Sequence, residues 1–111
     1  MSTIKYPFGA IATASISADA SDDAITITAN ETYITTATLT GNATLDLTVG
    51  SEVPAGAKVH IKCTTNGSET FTFGTKIEGP VVTGSAGKTW CQSFWYDGTI
   101  FLPCGAKIQI D

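Results

Sequence analysis

Hydrophobic and polar positions alternate along much of this chain at the two-residue period of β-strands. In the segment ATLDLTV (residues 43–49), Leu45, Leu47 and Val49 fall on one side, and threonine or aspartate falls on the other. Runs rich in β-branched residues precede it, turn-forming residues separate the runs, and no helical period of useful length occurs. The pattern predicts an all-β fold, either an antiparallel β-sandwich or a jelly-roll-like barrel.

The segment KVHIKCTTNGSETFTFGT predicts a hairpin that turns at Asn66 and Gly67. A two-residue loop would direct Phe71 away from the side that Ile61 occupies. A three-residue loop over 65–67, with Gly67 left-handed, pairs Ile61 with Phe71 instead. We expect the longer loop, and an irregular turn without a defined register is the alternative.

A second hairpin is predicted in QSFWYDGTIFLPC (residues 92–104), with its turn at Asp97 and Gly98. Counting outward pairs Trp95 with Ile100 across a two-residue loop. Both faces of this hairpin are then apolar, so a second layer must cover the side opposite Trp95. That layer is either another part of the chain or a neighbouring subunit. The residues on this side are Phe94, Tyr96 and Phe101.

Residues 1–23, rich in alanine, serine and threonine, predict an extended N-terminal arm that lies on a neighbour, and residues 24–111 predict one folded domain. The arm contains Tyr6 and Phe8. The predicted interface with other proteins therefore comprises Tyr6, Phe8, Phe94, Tyr96 and Phe101.

The composition and net charge of the chain limit the kinds of molecule that it is expected to bind. The 111 residues carry a net charge of −4, and 14% of them are charged. A free-standing domain has about 25% charged residues, so part of this surface is expected to be covered. The cations are scattered lysines, which argues against nucleic acid and against an anionic membrane. No signal-peptide or membrane-span pattern occurs, so we expect the chain to fold in the cytoplasm of the cell that makes it.

Groups for catalysis or metal binding are scarce. We expect the single histidine, His60, to be a solvated surface residue, and Asp22 and Asp23 to form a turn or strand lead-in instead of a calcium loop. Cys91 would lie opposite Cys104, but Pro103 interrupts that ladder and a reducing cytoplasm favours free thiols. The sequence therefore predicts no catalytic residue, no cofactor and no metal, and hence a protein that is not an enzyme.

Two binding chemistries compete with simple packing. Trp90, Trp95 and Tyr96 could stack on sugar rings, but alternation places Trp95 on the face opposite the other two. The Thr-x-Thr series at 26–28 and 36–40 resembles an ice-binding ladder, although threonine is also an ordinary residue of half-exposed strands. Core or subunit packing and ordinary strand composition are the favoured interpretations.

Four segments carry a resemblance to a known family: ATLTGNATLDLTV, VPAGAKVHIKC, ETFTFGTKI and AGKTWCQSFWYDGTIF. With them, about residues 24–102 resemble a small all-β domain of structural proteins in tailed-phage particles, which include head or tail fibres and capsid auxiliary (decoration) proteins. The matching residues are strands and turns, so the resemblance brings no catalytic residue with it.

The resemblance implies a non-enzymatic virion protein that binds the major capsid protein on the outer surface of the phage head and stabilises the shell. The acidic net charge fits that surface better than the DNA-lined interior. The alternative is a trimeric head- or tail-fibre domain that binds a receptor or glycan. A homotrimer is expected in either case.

Overall fold

The computed structural model of the protein describes residues 11–19 and 21–110, which form ten β-strands in two sheets. The strands are β1 (Ile11–Ile16), β2 (Asp23–Ile27), β3 (Glu31–Thr36), β4 (Ala43–Val49), β5 (Lys58–Thr64), β6 (Thr70–Phe73), β7 (Val82–Thr83), β8 (Thr89–Tyr96), β9 (Phe101–Pro103) and β10 (Ile108–Gln109). The all-β prediction is confirmed. In the part of the chain so described, no helix is long and apolar enough to cross a membrane.

The first six strands wind as a coil that passes from one sheet to the other. Six-stranded sheet A has the order β1-β3-β5-β8-β10 with β9 beside β8, and four-stranded sheet B has the order β2-β4-β6-β7. Neighbours among β1 to β6 are parallel: Ile11 pairs with Glu31, and Glu31 pairs with Lys58. In sheet B, Asp23 pairs with Leu45, which pairs with Phe73. This is the arrangement of a short parallel β-solenoid, in which each coil stacks on the one before.

The last four strands end the coil with antiparallel pairing. β8 is the longest strand of the described chain, and it runs against β5 from the Lys58–Trp95 pair to the Thr64–Thr89 pair. β7 pairs antiparallel with β6 and closes sheet B. The opposite edge of β8 receives β9 and then β10. Both sheets therefore change from parallel to antiparallel where the coil ends.

The prediction of antiparallel pairing throughout was wrong for the first six strands, and neither sheet closes on itself as a barrel would. Alternation reports which side chains face inward, but it is the same for parallel and antiparallel neighbours. The connections 37–42 and 50–57 cross between the sheets instead of reversing within one. The coils also differ in length, so no fixed sequence period marks the solenoid.

The hairpin predicted at Asn66 and Gly67 does not form. β5 lies in sheet A and β6 in sheet B, so Ile61 and Phe71 are not paired, although both are buried. The Asn66 amide donates to the Leu39 carbonyl at 3.0 Å, and the backbone at Gly67 is not left-handed. The hairpin was predicted because Ile61 and Phe71 must both face the core. A corner of the solenoid, which carries the chain from one sheet to the other, meets the same requirement without pairing the two strands.

The hairpin at Asp97 and Gly98 does form, with a wider loop than predicted. Tyr96 pairs with Phe101, so the connection spans 97–100. Gly98 has a φ of 104°, a conformation that favours glycine. The Asp97 carboxylate accepts hydrogen bonds from the amides of Thr99 (2.8 Å) and Ile100 (2.9 Å). These bonds hold the pKa of Asp97 below its usual range. The register moves by two residues, so every side chain keeps its predicted face.

The hydrophobic core lies between the two sheets, where aromatic rings from both meet. Phe73 of sheet B lies 4.9 Å from Phe94 of sheet A, and Tyr96 stacks on Phe101 at 4.8 Å. Phe94 and Phe101 are fully buried and Tyr96 is 8% exposed. Sheet B therefore covers Phe94, and Tyr96 and Phe101 are buried in the same core. These three residues belong to the core, and their assignment to an interface was wrong.

The predicted N-terminal arm is not a single unit outside the sheets. Ile11–Ile16 is strand β1, which pairs with β3 along its whole length, and Ile16 is buried in the core. Residues 17–19 and 21–22 connect β1 to β2. The interface residues predicted in the arm, Tyr6 and Phe8, lie outside the described residues. The boundary at residue 23 does not separate β1 from the rest of sheet A.

The location of Phe94 predicts a large loss of stability when its ring is removed. Phe94→Ala should lower the free energy of unfolding by about 3–5 kcal/mol, because the neighbours of a buried ring relax only partly around the cavity. The control is Trp95→Ala, whose side chain faces outward and is 42% exposed, with an expected loss of about 1 kcal/mol. Urea titrations of both variants measure the difference, and equal losses would contradict the assigned faces.

The turn at Asp97 predicts a pH-dependent contribution to stability. Because the folded pKa is lowered, the contribution is present above the ordinary aspartate value of about 3.9 and is lost as the pH falls through the lower, folded value. Asp97→Ala should therefore lower Tm at neutral pH, and its difference from the wild type should shrink in acid. Asp97→Asn keeps an acceptor oxygen without titrating, so the Tm difference between the D97N and D97A variants should persist in acid.

Candidate functional site on the outer face of sheet A

The outer face of sheet A carries a row of polar side chains and the two exposed aromatic residues of the described chain, Tyr33 and Trp95. We use this term for the outward side chains of its central strands, namely Glu31, Tyr33, Thr35, Lys58, His60, Lys62, Cys91, Ser93 and Trp95. Parallel pairing of β3 with β5 sets Tyr33 beside His60, and antiparallel pairing of β5 with β8 sets His60 beside Ser93. The three side chains thus form a row across three adjacent strands.

A continuous hydrogen-bonded chain runs through His60. Its Nδ1 lies 2.7 Å from Ser93 Oγ, and its Nε2 lies 2.9 Å from Glu31 Oε2. The Tyr33 ring stacks on the imidazole with centroids 4.8 Å apart and planes inclined by 25°. The side chains of His60 and Glu31 are 26% and 35% exposed. The imidazole is therefore fixed on both nitrogens and on one ring face, yet remains accessible.

The partners of His60 assign its proton. An ionised carboxylate only accepts hydrogen bonds, so Nε2 donates its N–H to Glu31 when the imidazole is neutral. Nδ1 is then unprotonated and accepts the hydroxyl proton of Ser93. The row is a serine hydroxyl, an imidazole acceptor and an orienting carboxylate, in that order.

A shallow cavity of about 330 Å³ opens beside this row. The lining residues include Tyr33, His60, Lys62, Cys91 and Ser93. A hydroxyl and an imidazole thus lie beside a mainly apolar space. This combination is typical of a small ligand site.

Exposed aromatic side chains border the row. Trp95 and Tyr33 are each 42% exposed. Lys58 lies between Glu31 and Trp95 in the ladder, so opposite charges alternate with apolar surface. Trp95 points to the side opposite the buried Trp90 and Tyr96, which confirms the predicted facing of these three residues.

The expectation that His60 is a free surface residue was wrong, because it is half-buried and bonded to two side chains. Sequence analysis missed Glu31 and Ser93 because they lie on other strands, far from His60 along the chain. The one signal in the sequence is the outward position of each residue in its own strand. Without the pairing of β3 with β5 and β8, that signal does not bring them together.

The three cysteines lie apart and carry free thiols. Cys91 pairs with Ile108, and the Cys104 amide donates to the Ser93 carbonyl at 2.8 Å. The predicted pairing of Cys91 with Cys104 was therefore wrong by the same two-residue shift that widens the Asp97 loop. Cys63 is buried in the core, and burial raises the pKa of its thiol to about 11.

Of the two aspartates considered for calcium, Asp22 bonds another side chain and Asp23 lies at the start of a strand. Asp22 forms a side-chain hydrogen bond with Asp46, which raises the pKa of Asp22. The amide of Thr75 donates to Asp46 at 2.7 Å, and this bond lowers the pKa of Asp46. Asp23 begins β2, as expected for a strand lead-in. Within residues 11–19 and 21–110, no group of three or more His, Cys, Asp or Glu residues is placed to hold a metal ion.

Threonines on the outer face of sheet B form short pairs, not a long ladder. Thr26 pairs with Thr48, and Thr44 pairs with Thr72. Between these pairs lies the Ala24–Asp46 pair, which interrupts the array. The arrangement does not extend the Thr-x-Thr pattern into a regular lattice-matching surface.

Comparison of the chain with models of protein families, with curated proteins and with solved structures found no match.

Proposed function

We propose that this protein is a structural component of a tailed-phage particle, an auxiliary decoration protein that binds the major capsid protein on the outer surface of the head. The observation that carries the proposal is the exposed aromatic pair Tyr33 and Trp95 on the outer face of sheet A. The resemblance of residues 24–102 to virion domains supplies the class of partner. In this proposal the two packed sheets serve as a rigid, sandwich-like body and the chemistry of the outer face serves docking.

The docking surface differs from the one that the sequence predicted. The aromatic face of Phe94, Tyr96 and Phe101 is buried in the core, so Trp95 and Tyr33 take its place as candidates for contact. Large rings that are partly exposed on flat strands bury much area on docking at little conformational cost. The alternating charges of Glu31 and Lys58 would fix the register of the partner.

Charge and composition support the outer surface of a shell. The net charge of −4 opposes binding to packaged DNA. With only 14% of residues charged, the protein fits a setting in which other subunits cover part of it. We further propose that it associates as a homotrimer, in which three copies would multiply weak contacts with the shell.

A trimeric fibre domain that binds a receptor glycan is the second candidate. It is favoured by one feature, the proximity of exposed Trp95 to the polar row of His60 and Ser93. Sugars bind by stacking on aromatic rings while side chains of this kind bond their hydroxyls. The solenoid fold is also compatible with a fibre, because coils stack along one axis.

Binding to purified heads that lack the protein tests the first candidate. Trp95→Asp and Tyr33→Asp should retain the wild-type circular dichroism spectrum and reduce co-sedimentation with heads by at least tenfold, because a charge is then buried in the interface. The matched control is Thr48→Asp on the outer face of sheet B, which should bind normally. Undiminished binding of both outer-face variants, or equal loss in the control, would count against the proposed surface.

Glycan-array binding tests the second candidate. Wild-type protein should bind a defined set of glycans, and Trp95→Ala should lose that binding while remaining folded, because the stacking surface is removed. Thr48→Ala is the control. An array without any signal from the wild type, together with normal binding to heads, leaves the decoration role as the function.

A further inference from the structure

The hydrogen-bonded chain of Ser93, His60 and Glu31 has the components of an activated nucleophile. Nucleophilic hydroxyls in proteins are activated by a base within about 2.6–3.2 Å, and a third group orients that base. Both contacts of His60 fall in this range, at 2.7 Å to Ser93 and 2.9 Å to Glu31. We propose that Ser93 is a nucleophile that accepts acyl groups from small esters, with His60 as its general base and Glu31 as a positioning residue.

The proton positions in the row support this direction of transfer. Glu31 fixes the N–H on Nε2, so the lone pair of Nδ1 faces the Ser93 hydroxyl. As Ser93 attacks, the imidazole becomes charged beside the Glu31 carboxylate, which stabilises the imidazolium. Stacking on Tyr33 at 4.8 Å limits rotation of the ring. In most serine hydrolases Nε2 faces the serine and Nδ1 faces the carboxylate, whereas here Nδ1 faces Ser93 and Nε2 faces Glu31. The chemistry requires only that one nitrogen accepts a proton and the other donates one.

The cavity beside Ser93 sets the size and class of the acyl donor. Its volume of about 330 Å³ lies at the lower end of ligand pockets, which span about 300–1,000 Å³, so short-chain esters fit best. The exposed Tyr33 ring provides apolar surface for the acyl group. Lys62 lines the same cavity, and its ammonium is the group that we assign to stabilise the oxyanion of the tetrahedral intermediate.

The supporting elements hold this geometry rigidly. Ser93, His60 and Glu31 lie on three adjacent strands, each paired on both sides within sheet A. Their side chains project from ladders instead of loops, and sites built on strands are more precise than sites on loops. The neighbouring inward residues Phe94 and Ile61 are buried in the core, which fixes the strands that present the row.

Acylation and deacylation of Ser93 balance in atoms and protons. The Ser93 Oγ–H bond breaks and its proton moves to His60 Nδ1, while Oγ forms a bond to the ester carbonyl carbon. The tetrahedral intermediate expels the alcohol, which takes the proton from His60, and an acyl-serine ester remains. Water then attacks this ester with His60 again as base, so that a carboxylic acid leaves and Ser93 regains its proton. Ester and water are the only reactants.

This activity goes beyond the proposed role in a phage particle and does not depend on it. Glu31 and Tyr33 take part in both proposals, but only acylation requires the Ser93 hydroxyl and the His60 imidazole, and it is measured on the free protein. Failure of the head-binding experiment therefore leaves the nucleophile proposal untouched, and absence of Ser93 labelling leaves the head-binding proposal untouched.

The test is labelling of the full-length protein with a fluorophosphonate probe, followed by intact mass and peptide mapping, with p-nitrophenyl acetate hydrolysis measured in parallel. The wild type should gain one probe, mapped to Ser93. Ser93→Ala should gain none, and His60→Gln should label and hydrolyse at least about 10²-fold more slowly. Thr48→Ala is the matched control, because Thr48 is an exposed hydroxyl residue on the outer face of sheet B, away from the cavity, and it should behave as the wild type does.

The positioning role of Glu31 has its own readout. Glu31→Gln keeps an acceptor oxygen but removes the charge that stabilises the imidazolium, so the rate should fall by about tenfold or more. Glu31→Asp should recover part of the rate. Three results would overturn the proposal: a probe mapped to a lysine, a wild-type protein that takes up no probe, or a His60→Gln variant that reacts as fast as the wild type. The row would then be a structural hydrogen-bonded chain without catalytic activity. Mapping of the wild type decides the matter even if a variant fails to fold.

Discussion

Parallel pairing between successive coils is the constraint on which the rest of the structure depends. It sets β3 between β1 and β5 in sheet A and β4 between β2 and β6 in sheet B. Apolar inward residues thereby stack from coil to coil, as Ile34 does on Ile61 and Leu45 does on Phe73, and the two stacks meet in one core. The same register sets Glu31 beside Lys58 and Tyr33 beside His60. Coil stacking thus assembles this part of the candidate site, and antiparallel β8 adds Ser93 without any special loop.

The sequence largely predicted which face of its strand each side chain occupies, but it did not predict which strands are neighbours. Alternation correctly separated Phe94, Tyr96 and Phe101 from Trp95, because a strand exposes its two sides by a fixed period whatever lies next to it. It did not decide whether sheet B or another subunit covered the first group, since both remove the same apolar surface from water. The turn at Gly98 was found because positive φ has a strong sequence preference. The register around it depended on Asp97, whose two backbone contacts widen the loop.

The candidate site was beyond sequence analysis for a related reason. Glu31, His60 and Ser93 belong to three strands, and contact among them requires one parallel and one antiparallel register. The unequal coils gave no repeat from which the parallel register could be read. The pattern of Asn66 and Gly67 pointed to a hairpin, which would have paired β5 with β6 and left β5 one edge for either β3 or β8, but not for both. The wrong prediction of this one turn therefore prevented the row of Glu31, His60 and Ser93 from being predicted.

The reversal of chain direction at β8 gives the molecule two unlike ends. Where β8 runs against β5 and β7 runs against β6, the coil-to-coil repeat stops, because a further turn of the winding would have to pair in the opposite sense. In a longer protein of this architecture, extra coils would therefore be added before β1 or between existing coils. The antiparallel strands β7 to β10 would remain at the end of the coil. Such a protein can therefore be lengthened by evolution or design on one side only, because the antiparallel strands close the other side of the coil.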